Sequence, residues 1–212
     1  MRLAVLASGL GSRLREESGG RPKQLLRVGG RTLLDRTVEL ARCLGAEPLV
    51  VTGPEVAEAF RGVEVMVEEA PSGILGTLYH AREHLREDFC WMAGDMLFTD
   101  PVPLKEMVEL HLEQGSSHSF FYCRTDRFKL KVRLGLPIEV ALTRGPGYSL
   151  SVPNFHVCSP RIFPYMAPDP HGNYLQRMIE AGEPVLCREY TAPVFEIDTP
   201  EDLAEARRFY GG

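Results

Sequence analysis

Short apolar runs alternate with amphipathic stretches along the chain, and glycine and proline punctuate the boundaries. Residues 2–8 contain the continuous run Leu3-Ala4-Val5-Leu6-Ala7, which reads as a buried strand. In residues 32–44, Leu34, Val38 and Ala41 recur at helical spacing, with Leu33, Leu40 and Leu44 beside them. That spacing predicts a helix, with Thr32 as N-cap and Asp35 three residues on. Residues 48–52 read as a second strand, closed by Gly53-Pro54, and residues 55–60 as a short helix. Residues 63–67 alternate with period two and predict a third strand. A helix over 74–87 and a strand over 89–93 follow, the latter ending at Gly94-Asp95.

Strands alternating with helices at this spacing predict an α/β fold, a mostly parallel sheet with helices on both faces in three layers, α/β/α. Right-handed crossovers place the carboxyl ends of the strands on one edge, where ligands bind. The loop at residue 9 and the turn at Gly94-Asp95 both follow strands and fall on that edge. Beyond residue 123 the rhythm changes. Residues 125–160 break short apolar runs with prolines and glycines and read as small strands and loops covering the sheet edge. A helix near 172–181, a strand near 185–188 and a terminal helix from Pro200 to about Phe209 complete a pattern read as one domain over 1–212.

Composition narrows the function classes. The chain has 212 residues, 44% hydrophobic and 25% charged, with a net charge of -5. That balance argues against a broad nucleic-acid surface while allowing a local basic pocket. Five scattered cysteines form no CxxC pair and read as free thiols in a reducing compartment. No apolar run approaches the ~18 residues of a membrane span, and no secretion signal is read. The expectation is a cytoplasmic protein with neither membrane nor nucleic-acid partner; a homodimer stays open.

The chemistry concentrates in "GLGSRLREESGGRPKQLL", residues 9–26. Glycines let backbone N–H groups approach phosphate oxygens, Arg13 can fork onto them, and Pro22 stiffens the return so that Lys23 adds a point charge. Gly-Lys occurs nowhere, which excludes a Walker-type P-loop. Leu14 replaces the third glycine of a dinucleotide fingerprint, and Ser18-Gly19-Gly20 suit a helix poorly.

The compound pattern "LASGLGSRL…RPKQLLRVGGRTLLDRTVELA" resembles the N-terminal signature of the nucleotidyltransferases that act on sugar phosphates and related phosphoesters. The resemblance implies a Rossmann-like, GT-A-like fold, with a nucleoside triphosphate and a small phosphorylated acceptor as partners. It implies that Gly9, Gly11, Ser12 and Arg13 hold the triphosphate and that Lys23 neutralises the reacting phosphates. "CWMAGDMLF" is similar to the family's strand-GD turn, which would make Asp95 a Mg²⁺ ligand. "VFEIDTPEDLAEARRF" is similar to its C-terminal segment, which would make Asp198 the second. "APSGILGTLYHA" resembles the nucleobase region, with Ser72, Gly73 and Thr77 as candidates, although Ser72 reads equally as a helix cap. "SVPNFHVCSP" resembles the acceptor strand and offers Asn154, without the usual Asn-x-Gly.

Within the family, "GLGSRL" and "EID" resemble cytidylyltransferases acting on phosphoalcohols. A guanylyltransferase of the molybdenum-cofactor kind remains an alternative, although its GG-S-RM-G-DK loop is missing, as does a non-catalytic nucleotide sensor. His80-Ala81-Arg82-Glu83-His84 also matches the HxxEH zinc-protease pattern, against which the core spacing of Leu78, Ala81 and Leu85 reads as an ordinary buried helix face.

Overall fold

The computed structural model describes residues 1–9, 11–70, 72–125, 127, 130–133, 139–141, 150–167, 169 and 173–211. In chain order its strands are β1 (Arg2–Leu6), β2 (Arg27–Val28), β3 (Arg31–Thr32), β4 (Glu47–Thr52), β5 (Glu64–Val67), β6 (Phe89–Ala93), β7 (Met96–Phe98), β8 (His118–Tyr122), β9 (Leu130–Arg133), β10 (Glu139–Ala141), β11 (Leu150–Val152), β12 (Phe155–Cys158), β13 (Val185–Glu189) and β14 (Val194–Glu196). The α-helices are α1 (Arg15–Ser18), α2 (Leu33–Cys43), α3 (Gly73–His80), α4 (Val102–Gln114), α5 (Phe163–Met166), α6 (Tyr174–Glu180) and α7 (Pro200–Phe209).

Seven strands form the central sheet in the order β13-β8-β12-β6-β1-β4-β5. All run parallel except β12, which pairs antiparallel with both β6 and β8. The alternation of β1 explains the layers. Leu3, Val5 and Ala7 face one side, against Leu34, Leu40 and Ala41 of α2 and Leu104, Met107 and Val108 of α4. Ala4 and Leu6 face the other, against Leu75 and Leu78 of α3 and Leu175 and Met178 of α6. Strands covered on both faces read as unbroken apolar runs.

Helix α2 starts as predicted: Asp35 N donates to Thr32 Oγ1 and Thr32 N donates back to the Asp35 carboxylate. Helix α7 uses the same box, Thr199 with Asp202, and carries Pro200 in its first turn. The helix expected over 74–87 is α-helical only to His80 and tightens to a 3₁₀ turn over 81–84, a common way to satisfy a helix end. Residues 55–60, expected to form a short helix, hold a 3₁₀ turn, Ala57–Ala59. Residues 96–123, unassigned above, hold β7, α4 and β8.

Of the stretch 125–160, strands β9, β10 and β11 form a small antiparallel sheet, while β12 is part of the central one. Residues 126, 128–129, 134–138 and 142–149 of that stretch lie outside the described residues, as does 172 at the start of the predicted helix. No helix among the described residues is long and apolar enough to cross a membrane.

Candidate active site

The carboxyl ends of β1 and β6, and the segment after β5, gather the polar residues on one sheet edge. After β1 the chain passes Ser8 and Gly9 into a 3₁₀ turn, Ser12–Leu14. Gly11 sits at its start with φ +58°, and a Cβ there would lie 3.3 Å from Lys23 Cβ. Leu14, fully buried with Leu26, Leu33 and Ile197, anchors the loop from below. Gly11→Ala is therefore expected to cost about 1–2 kcal/mol from the left-handed backbone alone. A lower urea midpoint with unchanged far-UV dichroism would show it.

The loop returns through Pro22 into a second 3₁₀ turn, Lys23–Leu25, held by Leu25 N to Pro22 O at 2.9 Å. This turn directs the Lys23 side chain, only 10% exposed, between two carboxylates. Its ammonium donates to Asp95 Oδ2 and, at 2.9 Å, to Asp198 Oδ1. Burial alone would push the Lys23 ammonium down, but the charges and hydrogen bonds of Asp95 and Asp198 outweigh it and hold its pKa above the ordinary value. Arg13 reaches Asp198 at 3.7 Å and is 65% exposed, so its guanidinium remains open to a ligand.

Asp95 and Asp198, far apart in sequence, meet because β7 and β14 pair antiparallel, Met96 opposite Glu196. Ile197 N then donates to Asp95 O at 3.0 Å, and Asp198 N donates to the Asp202 carboxylate at the start of α7. Gly94 permits the turn to pack closely, since a Cβ there would lie 3.2 Å from Ala7 Cβ and 3.1 Å from the Gln24 amide. The donor set suits a hard divalent cation, which takes carboxylate oxygens and completes its shell with water or phosphate. Asp95 Oδ1 is buried and has no hydrogen-bond partner among the described residues. The Lys23 ammonium, a cation shared by both carboxylates, marks the place as one built for positive charge.

The opposite wall is α3. Its residues Gly73, Ile74 and Thr77 line a cleft of about 320 Å³ together with Ser8, Gly9, Gly11, Ser12, Arg13, Lys23, Asp95 and Asp198. Behind this wall lies Glu68, whose carboxylate accepts hydrogen bonds from Ser8 Oγ, Ser72 Oγ, Thr77 Oγ1 and His80 Nδ1. Burial pushes the Glu68 carboxyl up, but the bonds from Ser72, Thr77, His80 and Ser8 outweigh it and hold it below the usual carboxylate range.

The structure thus brings nine of the predicted residues around one cleft: Gly9, Gly11, Ser12, Arg13, Lys23, Gly73, Thr77, Asp95 and Asp198. Two lie elsewhere. Ser72 does not line the cleft and makes no side-chain cap for α3; its hydroxyl donates to Glu68. Asn154 is buried next to the cleft floor, where its backbone carbonyl accepts from Ala93 N at 3.2 Å as β12 joins β6. His80 bonds Glu68, and the 3₁₀ turn over 81–84 rotates His84 off the α-helical face the HxxEH pattern assumes. Ser8, Ile74 and Glu68 escaped the sequence reading. For Glu68 the available signal was its place just after a strand, on the ligand edge.

Residues 3–207 match the family model described as the MobA-like NTP transferase domain. The UTP–glucose-1-phosphate uridylyltransferase of Haloferax volcanii is 25% identical, the alignment covering 98% of this chain and 96% of that protein. The bifunctional IPC transferase and DIPP synthase of Rubrobacter xylanophilus is 31% identical over 94% of this chain, which spans 50% of that protein. In fold, the chain is similar to the inositol-1-phosphate CTP transferase of T. maritima, with a TM-score of 0.79, 22% identity, and coverage of 100% of this chain and 95% of that one.

Proposed function

The chain belongs to the MobA-like NTP transferase domain family and is a nucleotidyltransferase, and from that premise we propose its substrates and the roles of its residues. It moves a nucleoside monophosphate from a nucleoside triphosphate to a small phosphorylated acceptor, a sugar phosphate or a phosphoalcohol, in the cytoplasm. CTP is the favoured donor, on the likeness of "GLGSRL" and "EID" to cytidylyltransferases acting on phosphoalcohols. The observation that carries the reading is the Lys23 ammonium poised between Asp95 and Asp198 beside a glycine-rich loop.

An acceptor phosphate oxygen bonds to the α-phosphorus as the bridging bond to the β-phosphate breaks, and pyrophosphate leaves. A phosphate monoester is largely dianionic near neutral pH, so the attacking oxygen needs no general base. The obstacle is bringing two anions together, and preassembled positive charge lowers it. Lys23 supplies that charge at the reacting phosphates and Arg13 at the triphosphate tail. The backbone N–H groups of Gly9 and Gly11 hold the triphosphate, and Ser12 lies beside them. Gly73 and Thr77 border the nucleobase, with Ser72 behind them. Asp95 and Asp198 hold Mg²⁺, which when bound supplies further positive charge against the phosphates. The acceptor lies next to Asn154, on the side of β11 and β12.

Pyrophosphate release should be measured with CTP, UTP, GTP, dTTP and ATP against a panel of sugar phosphates and phosphoalcohols, with Mg²⁺ or with chelator. The expected result is release that needs CTP, one acceptor and Mg²⁺ together. Preference for UTP would move the donor assignment toward the Haloferax relative. Triphosphate binding without release against any acceptor would replace the transferase reading by a nucleotide sensor.

A further inference from the structure

We propose that Glu68 is a positioning residue for nucleotide binding: it clamps the phosphate loop to α3 and turns the hydroxyls of Ser8 and Thr77 into hydrogen-bond acceptors facing the cleft. The inference rests on the reading that this cleft takes a nucleoside triphosphate.

The Glu68 side chain is 2% exposed. An ionised carboxylate buried to that degree is tolerated only when donors compensate it. Here four donors come from two separate walls. Ser8, the residue before Gly9, donates to Oε2 at 2.9 Å, and Thr77 donates to the same oxygen at 2.6 Å. Ser72 and His80 donate to Oε1 at 2.6 and 2.8 Å. Since the ionised carboxylate accepts only, His80 carries its proton on Nδ1. A carboxylate offers about four lone-pair sites, so this one is saturated.

Two consequences follow. Ser8 and Thr77 both line the cleft, and one carboxylate oxygen holds both, so Glu68 sets the distance between the loop that faces phosphates and the helix that faces the nucleoside. Each hydroxyl also has a single proton, and both are spent on Glu68. What remains toward the cleft is lone pairs, which can accept from a base N–H or a ribose hydroxyl and cannot donate to a phosphate oxygen. The two hydroxyls therefore favour the nucleoside end of the ligand.

The test is Glu68→Gln, which preserves shape but replaces one acceptor oxygen by an NH₂ that must face donors. Calorimetric titration with CTP, UTP and inorganic tripolyphosphate separates the walls, because tripolyphosphate uses the loop alone. The expected result is nucleotide binding weakened about tenfold, the equivalent of one or two net hydrogen bonds, with tripolyphosphate binding changed less than about twofold. In turnover, KM for the nucleotide should rise with kcat nearly unchanged. Ser8→Ala and Thr77→Val, which keep the carboxylate, should shift nucleotide binding in the same direction and carry the test if Glu68→Gln does not fold. Equal loss of nucleotide and tripolyphosphate, or a lower melting temperature with unchanged binding, would reduce Glu68 to a structural role and overturn the proposal. Wild-type protein that binds no nucleoside triphosphate would overturn the reading of the cleft itself.

Discussion

Lys23→Met is expected to lower turnover by about 10²–10³-fold, the usual cost of removing one preorganised electrostatic group from a reacting centre. Methionine keeps the apolar stem that packs on Gly11 and removes only the ammonium. The loss should fall mainly on kcat, because the charge matters most when the two phosphates are forced together. Stability should change as well. Without the ammonium, Asp95 and Asp198 lose their shared cation, although Arg13 still reaches Asp198, and breaking a fully buried pair costs about 3–5 kcal/mol. These carboxylates are 15% and 19% exposed, so solvent screening brings the loss below that range. If the same carboxylates hold Mg²⁺, adding it should raise the melting temperature of Lys23→Met more than that of the wild type. Steady-state pyrophosphate release and thermal melts with and without Mg²⁺ check both parts. Near-wild-type turnover would remove Lys23 from the reaction.

A second large effect is expected in the body of the central sheet. His118 and His156 are buried side by side in the central sheet, Nε2 of the first 2.8 Å from Nδ1 of the second. The His156 ring stacks on Trp91 at 4.1 Å, and Tyr174 lies over His118 at 5.7 Å. Burial lowers the His118 pKa to about 3, with His111 pushing the same way, and burial and His118 together hold His156 well below its ordinary value. His111, bonded to the Ser119 hydroxyl, is also lowered by burial, although Asp88 opposes the shift.

Both members of the pair are therefore neutral in the folded state and protonate readily only after unfolding. Their contribution is fully present above the unfolded pKa near 6.5 and is lost as pH falls below it, since the unfolded chain then binds more protons. Between about pH 7.5 and pH 5 the pair alone should remove ~4 kcal/mol of stability, with His111 adding in the same direction. Carboxylates with ordinary pKa values stay largely ionised over that window, so the slope belongs to the histidines. Urea midpoints at the two pH values measure it. His118→Leu with His156→Phe keeps the stacking on Trp91 and should flatten most of the dependence. An unchanged slope in that double variant would assign it elsewhere.

Much of the fold was legible because its signals are local. A capping box such as Thr32–Asp35 or Thr199–Asp202 closes over four residues, and the apolar run of β1 follows from burial on both faces. The same holds for the loop after β1, where Gly9, Gly11, Arg13 and Lys23 fall within fifteen residues of one another and line one cleft. Helix α4 also carried a local signal, Leu104, Met107 and Val108 followed by the left-handed Gly115, which periodicity reveals once the stretch is read as helix.

What the chain alone determined was the kind of layered fold, the sheet edge where the cleft lies and the residue types able to handle phosphate, since periodicity, caps and turns are decided over a few neighbouring residues. Only the tertiary structure decided which distant groups meet. The pairing of β7 with β14 brings Asp198 to Asp95, and the antiparallel insertion of β12 buries His156 against His118 and draws Asn154 to Ala93. Glu68 and Glu69 are adjacent acids in sequence, yet only Glu68 turns inward, because the four donors that compensate its burial come from the loop after β1 and from α3 with its preceding residue Ser72. No local pattern encodes such a meeting: it depends on how non-neighbouring strands and helices pack, and on which polar groups that packing leaves to satisfy one another.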